Sequence, residues 1–306
     1  MIFFYNKIPE RDAFIAVSEA SEGSWIHIEE ASLEDLQFIS DLTGLDAPIL
    51  DDSLDRYELP RLELIESNLI LFTRHPVEQD RYLYTSTLTI ILTPSYFITI
   101  SPNKTFFIQH FLQKKIPISS HSLSDWMRQV LLRIAQEFNL FIRKTRHNIL
   151  SQEKDMSAVT SEDIYALTKY EEVLNQYLSS LDALHLTLQK LFSLPSSNFY
   201  QQDKELIEDL INAVKQSENL SEIVIKNIRS LRDAYQIIFA NSLTKTIKLL
   251  TALTIVFTIP NIVASIYGMN VRLPLSQDSQ AFFILIGLMF ILSSLCGYWF
   301  YRKNWM

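Results

Sequence analysis

Glycine is scarce in this chain: 5 occur in 306 residues, against roughly 7% in an average protein. None lies between Gly44 and Gly268, so no glycine-rich phosphate cradle can form, which excludes a P-loop and a dinucleotide fingerprint. Cys296 is the single cysteine, which excludes a disulfide framework and any CxxC zinc or redox site. The six histidines are scattered, with no pair at ligand spacing, and no enzymatic activity is expected. The net charge of −8 argues against a nucleic-acid partner, which would want a basic face. Neither nucleic acid nor nucleotide is expected as a ligand.

Charge is also missing from two long runs near the end of the chain. Leu249–Val271 and Ser279–Tyr301 are each 23 residues without a charged side chain. At about 1.5 Å per residue each run covers roughly 34 Å, enough for a hydrocarbon core of about 30 Å. Buried core helices rarely carry such runs, so a membrane hairpin is expected, with residues 272–278 as its short external loop. Lys245 and Lys248 precede the first run, and Arg302 and Lys303 follow the second. The positive-inside rule then places both termini in the cytoplasm. The apolar Ile2-Phe3-Phe4-Tyr5 is followed at once by charges and is not expected to be a targeting segment.

Seven of the ten prolines lie before residue 120, whereas residues 118–194 and 196–259 hold neither proline nor glycine. The first 117 residues alternate or are rich in β-branched side chains at Ala13–Val17, Trp25–Ile28, Leu62–Thr73, Tyr82–Leu92 and Tyr96–Ile100, which predicts strands. A capping pattern at Ser32-Leu33-Glu34-Asp35, with Gly44 past the end, predicts a short helix between them. The breaker-free part predicts helices over 122–157 and 161–192, a turn at 194–198, and a third helix from Asp203. Val224, Ile228, Leu231, Tyr235, Ile238 and Ser242 follow at spacings of four and three, a heptad seam for packing against copies or neighbours. Nothing breaks this helix before Pro260, so it is expected to run into the membrane over about 100 Å; the alternative is a soluble helix ending before Lys245. The fold class is therefore an α+β cytoplasmic domain (1–117), a helical hairpin (118–202) and a long stalk helix (203–248). These lead to a two-helix transmembrane hairpin (249–271 and 279–301) and a basic tail (302–306).

The first span carries a polar stripe. Thr244, Thr251, Thr258 and Ser265 recur every seven residues, as do Thr254, Asn261 and Gly268, and all seven fall within about 120° of one helical face. Polar residues in a bilayer bond across helices or line water; the bland alternative is that Ser and Thr bond their own backbone. Two spans cannot enclose a channel, so pore lining requires an oligomer in which the first span faces the axis and the second faces lipid. Asp233 lies 18 residues before Thr251, five turns away, and so shares the stripe's azimuth. It is either a carboxylate repeated around an axis, suited to a divalent cation, or an ordinary solvated charge.

The first span ends in Tyr267-Gly268-Met269-Asn270, preceded by a Thr-rich helix and followed by a short loop and a second span. This arrangement resembles the CorA family of magnesium channels. Upstream, Asn241–Thr251 resembles the family's stalk-to-membrane junction, and weaker similarity covers the segments Leu50–Asp55 and Leu59–Glu63 and the strand pair Thr87–Ile100. The resemblance implies a plasma-membrane homopentamer passing Mg2+ inward. Gly268 and Asn270 would form the selectivity ring, flanked by Tyr267 and Met269, and Asp233 would bind regulatory Mg2+ between subunits. Thr244, Ile247, Leu250, Thr251, Thr254, Thr258, Asn261 and Ser265 would line the pore. Magnesium sheds its water reluctantly, so neutral amide and carbonyl oxygens suit the hydrated ion, and weak multi-site binding suits conduction. Inward flow of a divalent ion gains about 4.6 kcal/mol per 100 mV, twice the single-charge value. Two rivals remain: a zinc or other transition-metal transporter of the same architecture, and a membrane-anchored coiled-coil scaffold that conducts nothing.

Overall fold

The computed structural model describes residues 1–8, 13–79, 82–105, 123–151, 159–193, 201–271 and 280–305. The expected turn at 194–198, the tail of the first long helix at 152–157 and the loop 272–278 lie outside them. Two compact units are present, one of residues 1–153 and 165–230, the other of 154–164 and 231–306.

The first unit is built on a seven-stranded sheet of β1 (Ile2–Ile8), β2 (Ala13–Val17), β3 (Trp25–Ile28), β4 (Arg61–Ile65), β5 (Asn68–Gln79), β6 (Tyr82–Leu92) and β7 (Phe97–Ile100), in the order β2-β1-β3-β7-β6-β5-β4. Only β3 and β7 run parallel, Trp25 opposite Phe97 through Ile28 opposite Ile100. Residues opposite one another share a face. One face is therefore Ile26, Ile28, Ile98, Ile100, Ile91, Ile70 and Phe72, packed with Leu36, Ile39, Leu45 and Leu50 of α1 (Leu33–Thr43), α2 (Ala47–Asp51) and the loop between them. The start of α1 follows from its sequence. Ser32 accepts from the Asp35 N–H, Asp35 accepts from the Ser32 N–H at 2.9 Å, and Gly44 takes the left-handed φ of 74° that closes the helix.

The opposite face is polar as well as apolar. Trp25 Nε1 donates to Thr99 Oγ1 at 2.8 Å, and His27 meets Thr99 Oγ1 at 2.8 Å and Thr105 Oγ1 at 2.9 Å. Thr105 in turn donates to Glu29 at 2.6 Å. Burial opposes ionisation of Glu29, but the hydrogen bonds from His27 and Thr105 outweigh it and hold its carboxyl at about 2. Burial likewise pushes His27 down, and His75 down to about 4.

Three helices complete this unit: α3 (Leu123–Ser151), α4 (Ser161–Ser193) and the first part of α5 (Gln201–Tyr267). On α4, Leu174, Tyr177, Leu181, Leu184, Leu188 and Leu191 are buried at alternating spacings of three and four. On α5 the same spacing begins earlier than the sequence suggested, at Ile207, and runs through Leu210, Val214, Ser217, Ser221, Val224 and Ile228, all buried. The two serines let backbones approach: Ser217 Oγ, shared with its own helix's Ala213 O at 3.1 Å, lies 3.4 Å from Ala135 O on α3, and Ser221 Oγ donates to Leu174 O at 3.3 Å on α4. Phe138 and Tyr177 meet edge to face at 5.4 Å. The buried Glu218 accepts from Lys215 at 2.6 Å and lies 2.8 Å from His185 Nδ1.

The buried groups fix the pH response. His75 is neutral in the fold and takes up a proton in the unfolded chain below about 6.5, so stability falls as pH drops from there towards 4. The lowered Glu29 acts in the same direction below its ordinary value of 4.5. Thermal melts of the full chain followed by tryptophan fluorescence are expected to move down steadily from pH 7 to 5. His75→Gln should flatten that slope, and an unchanged slope would show that His75 does not titrate there.

Candidate functional site

The helix α5 is 67 residues long and continues through Pro260 to Tyr267 without a break, so the alternative of a soluble helix ending before Lys245 is not what is found. Its apolar part and α6 (Ala281–Arg302) are the two helices long and apolar enough to cross a membrane among the described residues, with 6% and 0% of their most apolar windows buried. A pair of soluble core helices would be covered by protein; these are not.

A proline within a helix removes one N–H and leaves the carbonyl four residues earlier without its donor. For Pro260 that carbonyl belongs to Val256. Ser293 of α6 donates its hydroxyl to Val256 O at 3.5 Å, and Gly297, one turn on, brings its Cα to the same place, where an added Cβ would stand 4.0 Å from Val256 Cγ2. Ala252 is fully buried. Small residues at a helix crossing are what packing in lipid favours. The sequence shows Pro260 and its orphaned carbonyl; only the structure shows that Ser293 answers it.

The less exposed residues of the first span are Ala252, Val256, Ile259, Val263 and Tyr267, with Leu253 and Pro260 beside them. They form the face turned to α6. Thr244, Ile247, Leu250, Thr251, Thr254, Thr258, Asn261, Ser265 and Gly268 are all exposed, and at about 100° per residue they centre on the opposite face. Three of the hydroxyls bond back to their own helix: Thr244 to Ala240 O at 2.8 Å, Thr254 to Leu250 O at 2.9 Å and Thr258 to Thr254 O at 2.7 Å. The bland alternative thus accounts for their protons. It leaves each hydroxyl oxygen with acceptor capacity directed away from the helix.

At the end of the span, Gly268 N–H makes a last helical bond to Ala264 O at 2.9 Å, and Met269 N–H tightens to Ile266 O at 3.2 Å. Met269 and Asn270 are exposed. Gly268 is not among the residues of positive φ, and an added Cβ would meet Ala264 O at 3.4 Å, an ordinary contact. The single chain therefore does not demand glycine there. Asp233 is 64% exposed, with Arg232 Nη2 at 3.6 Å. Glu208 and Asp209 are exposed too, while the side chains of Asp203 and Glu205 lie outside the description. Among the described residues no group of three or more His, Cys, Asp or Glu side chains could hold a metal ion.

A sheet-and-helix unit, one helix continuing into an apolar span, and a second span packed on it through small residues define a two-span membrane protein. Its family is also clear. The family described as CorA-like Mg2+ transporter protein matches residues 20–302, and the chain belongs to it. The cobalt/magnesium transport protein CorA of Methanocaldococcus jannaschii is 24% identical over 292 residues, covering 92% of this chain and 91% of the relative. The complete structure of the CorA magnesium transporter from that organism superposes with a TM-score of 0.75 at 21% identity, covering 100% of this chain and 99% of that one. The cytoplasmic domain of ZntB from Vibrio parahaemolyticus also shares the fold, with a TM-score of 0.60 and 11% identity over 76% of this chain and 96% of that one. At that distance fold alone does not choose an ion.

Because hydrocarbon offers no water to an orphaned carbonyl, Ser293→Ala should weaken the contact between the spans by about 0.5–1.5 kcal/mol. Ser293→Thr, which keeps the hydroxyl, should lose less. Tm in detergent for the two variants is the measurement, and equal values would mean that the hydroxyl does not serve Val256.

Proposed function

We propose that this protein is a magnesium channel of the CorA type: a plasma-membrane homopentamer carrying Mg2+ passively inward, with both termini cytoplasmic. The observation that carries the reading is the unbroken α5, which continues from the cytoplasmic bundle through an apolar span and stops at Tyr267-Gly268-Met269-Asn270. Two spans cannot surround a pore, whereas several copies, each turning its Thr/Asn face inward and its α6 outward, can. In that arrangement a ring of Gly268 carbonyls and Asn270 amides meets the ion at the outer mouth, where neutral oxygens accept from its water shell. The glycine that the single chain does not require then has a reason, since copies crowd together at the axis. Co2+ and Ni2+ are also candidate cargo.

The zinc and scaffold readings are less favoured. The proposed pore face offers oxygens and no thiolate or imidazole, the ligands that select the softer metals, and a scaffold anchor needs no polar stripe. Mg2+ influx into liposomes containing the purified protein is the test. Wild type should load Mg2+ under an inside-negative potential, and Asn270→Ala should lose most of that flux while assembling normally. Normal flux from Asn270→Ala would remove the filter assignment, and no flux from wild type would favour the scaffold.

Gating is assigned to Asp233. Repeated around the axis or at the subunit interfaces, its carboxylates repel one another, and bound Mg2+ relieves that repulsion and holds the closed arrangement. A ligand shifts such an equilibrium only by its differential affinity for the two states, so the ion must bind more weakly when the pore opens. Asp233→Asn should therefore reduce Mg2+ protection of the stalk against protease and relieve inhibition of flux by cytoplasmic Mg2+. Coinciding protection midpoints for wild type and variant would move the sensor elsewhere, to Asp203, Glu205, Glu208 or Asp209.

A further inference from the structure

From residue 234 to 306 the chain holds five basic residues and one acidic residue, Asp278, whereas residues 1–233 hold 22 basic against 34 acidic. The net charge of −8 thus conceals a basic C-terminal stretch, residues 234–306, that follows an acidic one. Four of the five cations sit outside the apolar windows on one side: Lys245 and Lys248 before the first span, Arg302 and Lys303 after the second. All four are exposed. Contact of Val256 with Ser293 and Gly297 sets the level, and the hydrocarbon forbids an extended return between the spans, so they run antiparallel. Lys248 is eight residues before Val256, and Lys303 is eight after the midpoint of the Ser293–Gly297 pair. At about 1.5 Å per residue both lie roughly 12 Å from that contact on the same side, with Lys245 and Arg302 within a turn of them.

The end of α6 is built to leave these charges available. Asn304 takes a left-handed φ of 54°. Trp305 N–H donates to Phe300 O at 3.0 Å and Asn304 N–H to Tyr301 O at 3.1 Å, the paired bonds of a Schellman cap. Its apolar contact is also present, Phe300 and Trp305 rings at 5.3 Å, with Phe300 only 3% exposed. Lys303 N–H reaches Trp299 O at 3.1 Å. The carbonyls that would present a negative helix end to an approaching anion are thus satisfied by backbone donors, and the Arg302 and Lys303 side chains are not consumed in capping. Tyr298, Trp299 and Tyr301 are 64%, 55% and 69% exposed beside them. Aromatic rings of this kind settle at the headgroup level of a bilayer.

We infer that Lys245, Lys248, Arg302 and Lys303 form a basic collar that binds the headgroups of anionic phospholipids, with the aromatic rings and the folded-back Trp305 fixing its depth. A zwitterionic headgroup has no net charge to complement four cations, whereas an anionic one has. The inference rests on the two-span reading but on no property of the pore, so its failure leaves the ion reading intact, and failure of flux leaves the collar intact.

The test uses the full chain in nanodiscs of mixed zwitterionic phosphatidylcholine and anionic phosphatidylglycerol, with bromine on the acyl chains of one lipid at a time. Trp299 and Trp305 report nearby bromine, while Trp25 and Trp126 are buried in the cytoplasmic unit and supply a constant background. Brominated phosphatidylglycerol should quench as though bound about fivefold more tightly than brominated phosphatidylcholine at low salt. The preference should shrink towards unity at about 1 M salt, where the Debye length is about 3 Å. Replacing all four collar residues by Gln should abolish it, whereas Lys245→Arg with Lys248→Arg and Lys303→Arg should keep it. Inorganic phosphate should not compete; if it displaces the lipid, the site is one for free phosphate and the proposal is wrong. Equal quenching by the two lipids in wild type, or a salt-independent preference, would also overturn it, and that second measurement needs no variant to fold.

Discussion

Every backbone polar group that enters hydrocarbon must find its partner inside the protein, and within the first span that requirement bears on the carbonyl of Val256. Pro260 lies inside α5, where it withholds the donor that Val256 O would otherwise receive. An unpaired carbonyl facing lipid would cost several kcal/mol. The hydroxyl of Ser293 supplies the missing donor, and a hydroxyl reaches a neighbouring helix backbone only where the helices touch closely. Gly297 and the buried Ala252 allow that approach. The proline therefore gives the second span a role in the first: α6 brings a hydroxyl to a carbonyl that α5 leaves without its helical donor. It also fixes which face of α5 is covered, and so which face is left for everything else.

The same helix solves a different problem in its first half. From Ile207 to Ile228 its seam is filled by neighbours in its own chain, with Ser217 and Ser221 placed where α3 and α4 come close. Between Tyr235 and Ala252 no residue is buried, and every residue from Asn241 to Leu250 is exposed, including Leu243, Ile247 and Leu250. A helix whose apolar positions continue while their partners stop is one that other molecules must cover. Leu243, Ile247 and Leu250 share the azimuth of the polar stripe rather than that of the face covered by α6, so copies of the chain are the cover that fits the proposed assembly.

The legible parts of the sequence were those with local causes. The capping box at Ser32 and the left-handed Gly44 specify α1 through contacts three and four residues apart, and the absence of glycine and proline specified the long helices. The sequence over 62–73 reads as one strand because Glu66-Ser67 has no glycine and none of the Asn-Gly or Asp-Gly signature of a two-residue hairpin, although the structure folds it there into β4 and β5. Glu66 nevertheless adopts a φ of 54°, a conformation that tertiary context imposes on a residue that ordinarily avoids it. The strand β1 was missed because its apolar residues occur on both faces, Phe4 towards α1 and Tyr5 towards Trp25, so no alternation marks it. No expectation covers α2 or the 3-10 turn Asp52–Leu54 that follows it, although Pro48 in the first turn of α2 is a start signal. At the site, Pro260 was visible and Ser293 was not, since no pattern within one helix says which residue of another will answer it.

The threonines of the first span show why the bland and the functional readings of such residues are not opposed. A hydroxyl facing the axis of a pore with its proton free would donate as well as accept, and a cation is repelled by donors. Bonding Thr244, Thr254 and Thr258 back to the carbonyls four residues earlier commits each proton to the helix and leaves oxygen lone pairs outward. A surface of acceptors without charge attracts the water shell of a divalent ion only weakly. Weak attraction repeated at several levels is what allows an ion to enter and to leave. A carboxylate at the same depth would bind the ion and hold it, and between Lys248 and Arg272 this chain has none. In the proposed channel the carboxylate stands instead at Asp233, outside the membrane, where holding an ion is the useful property.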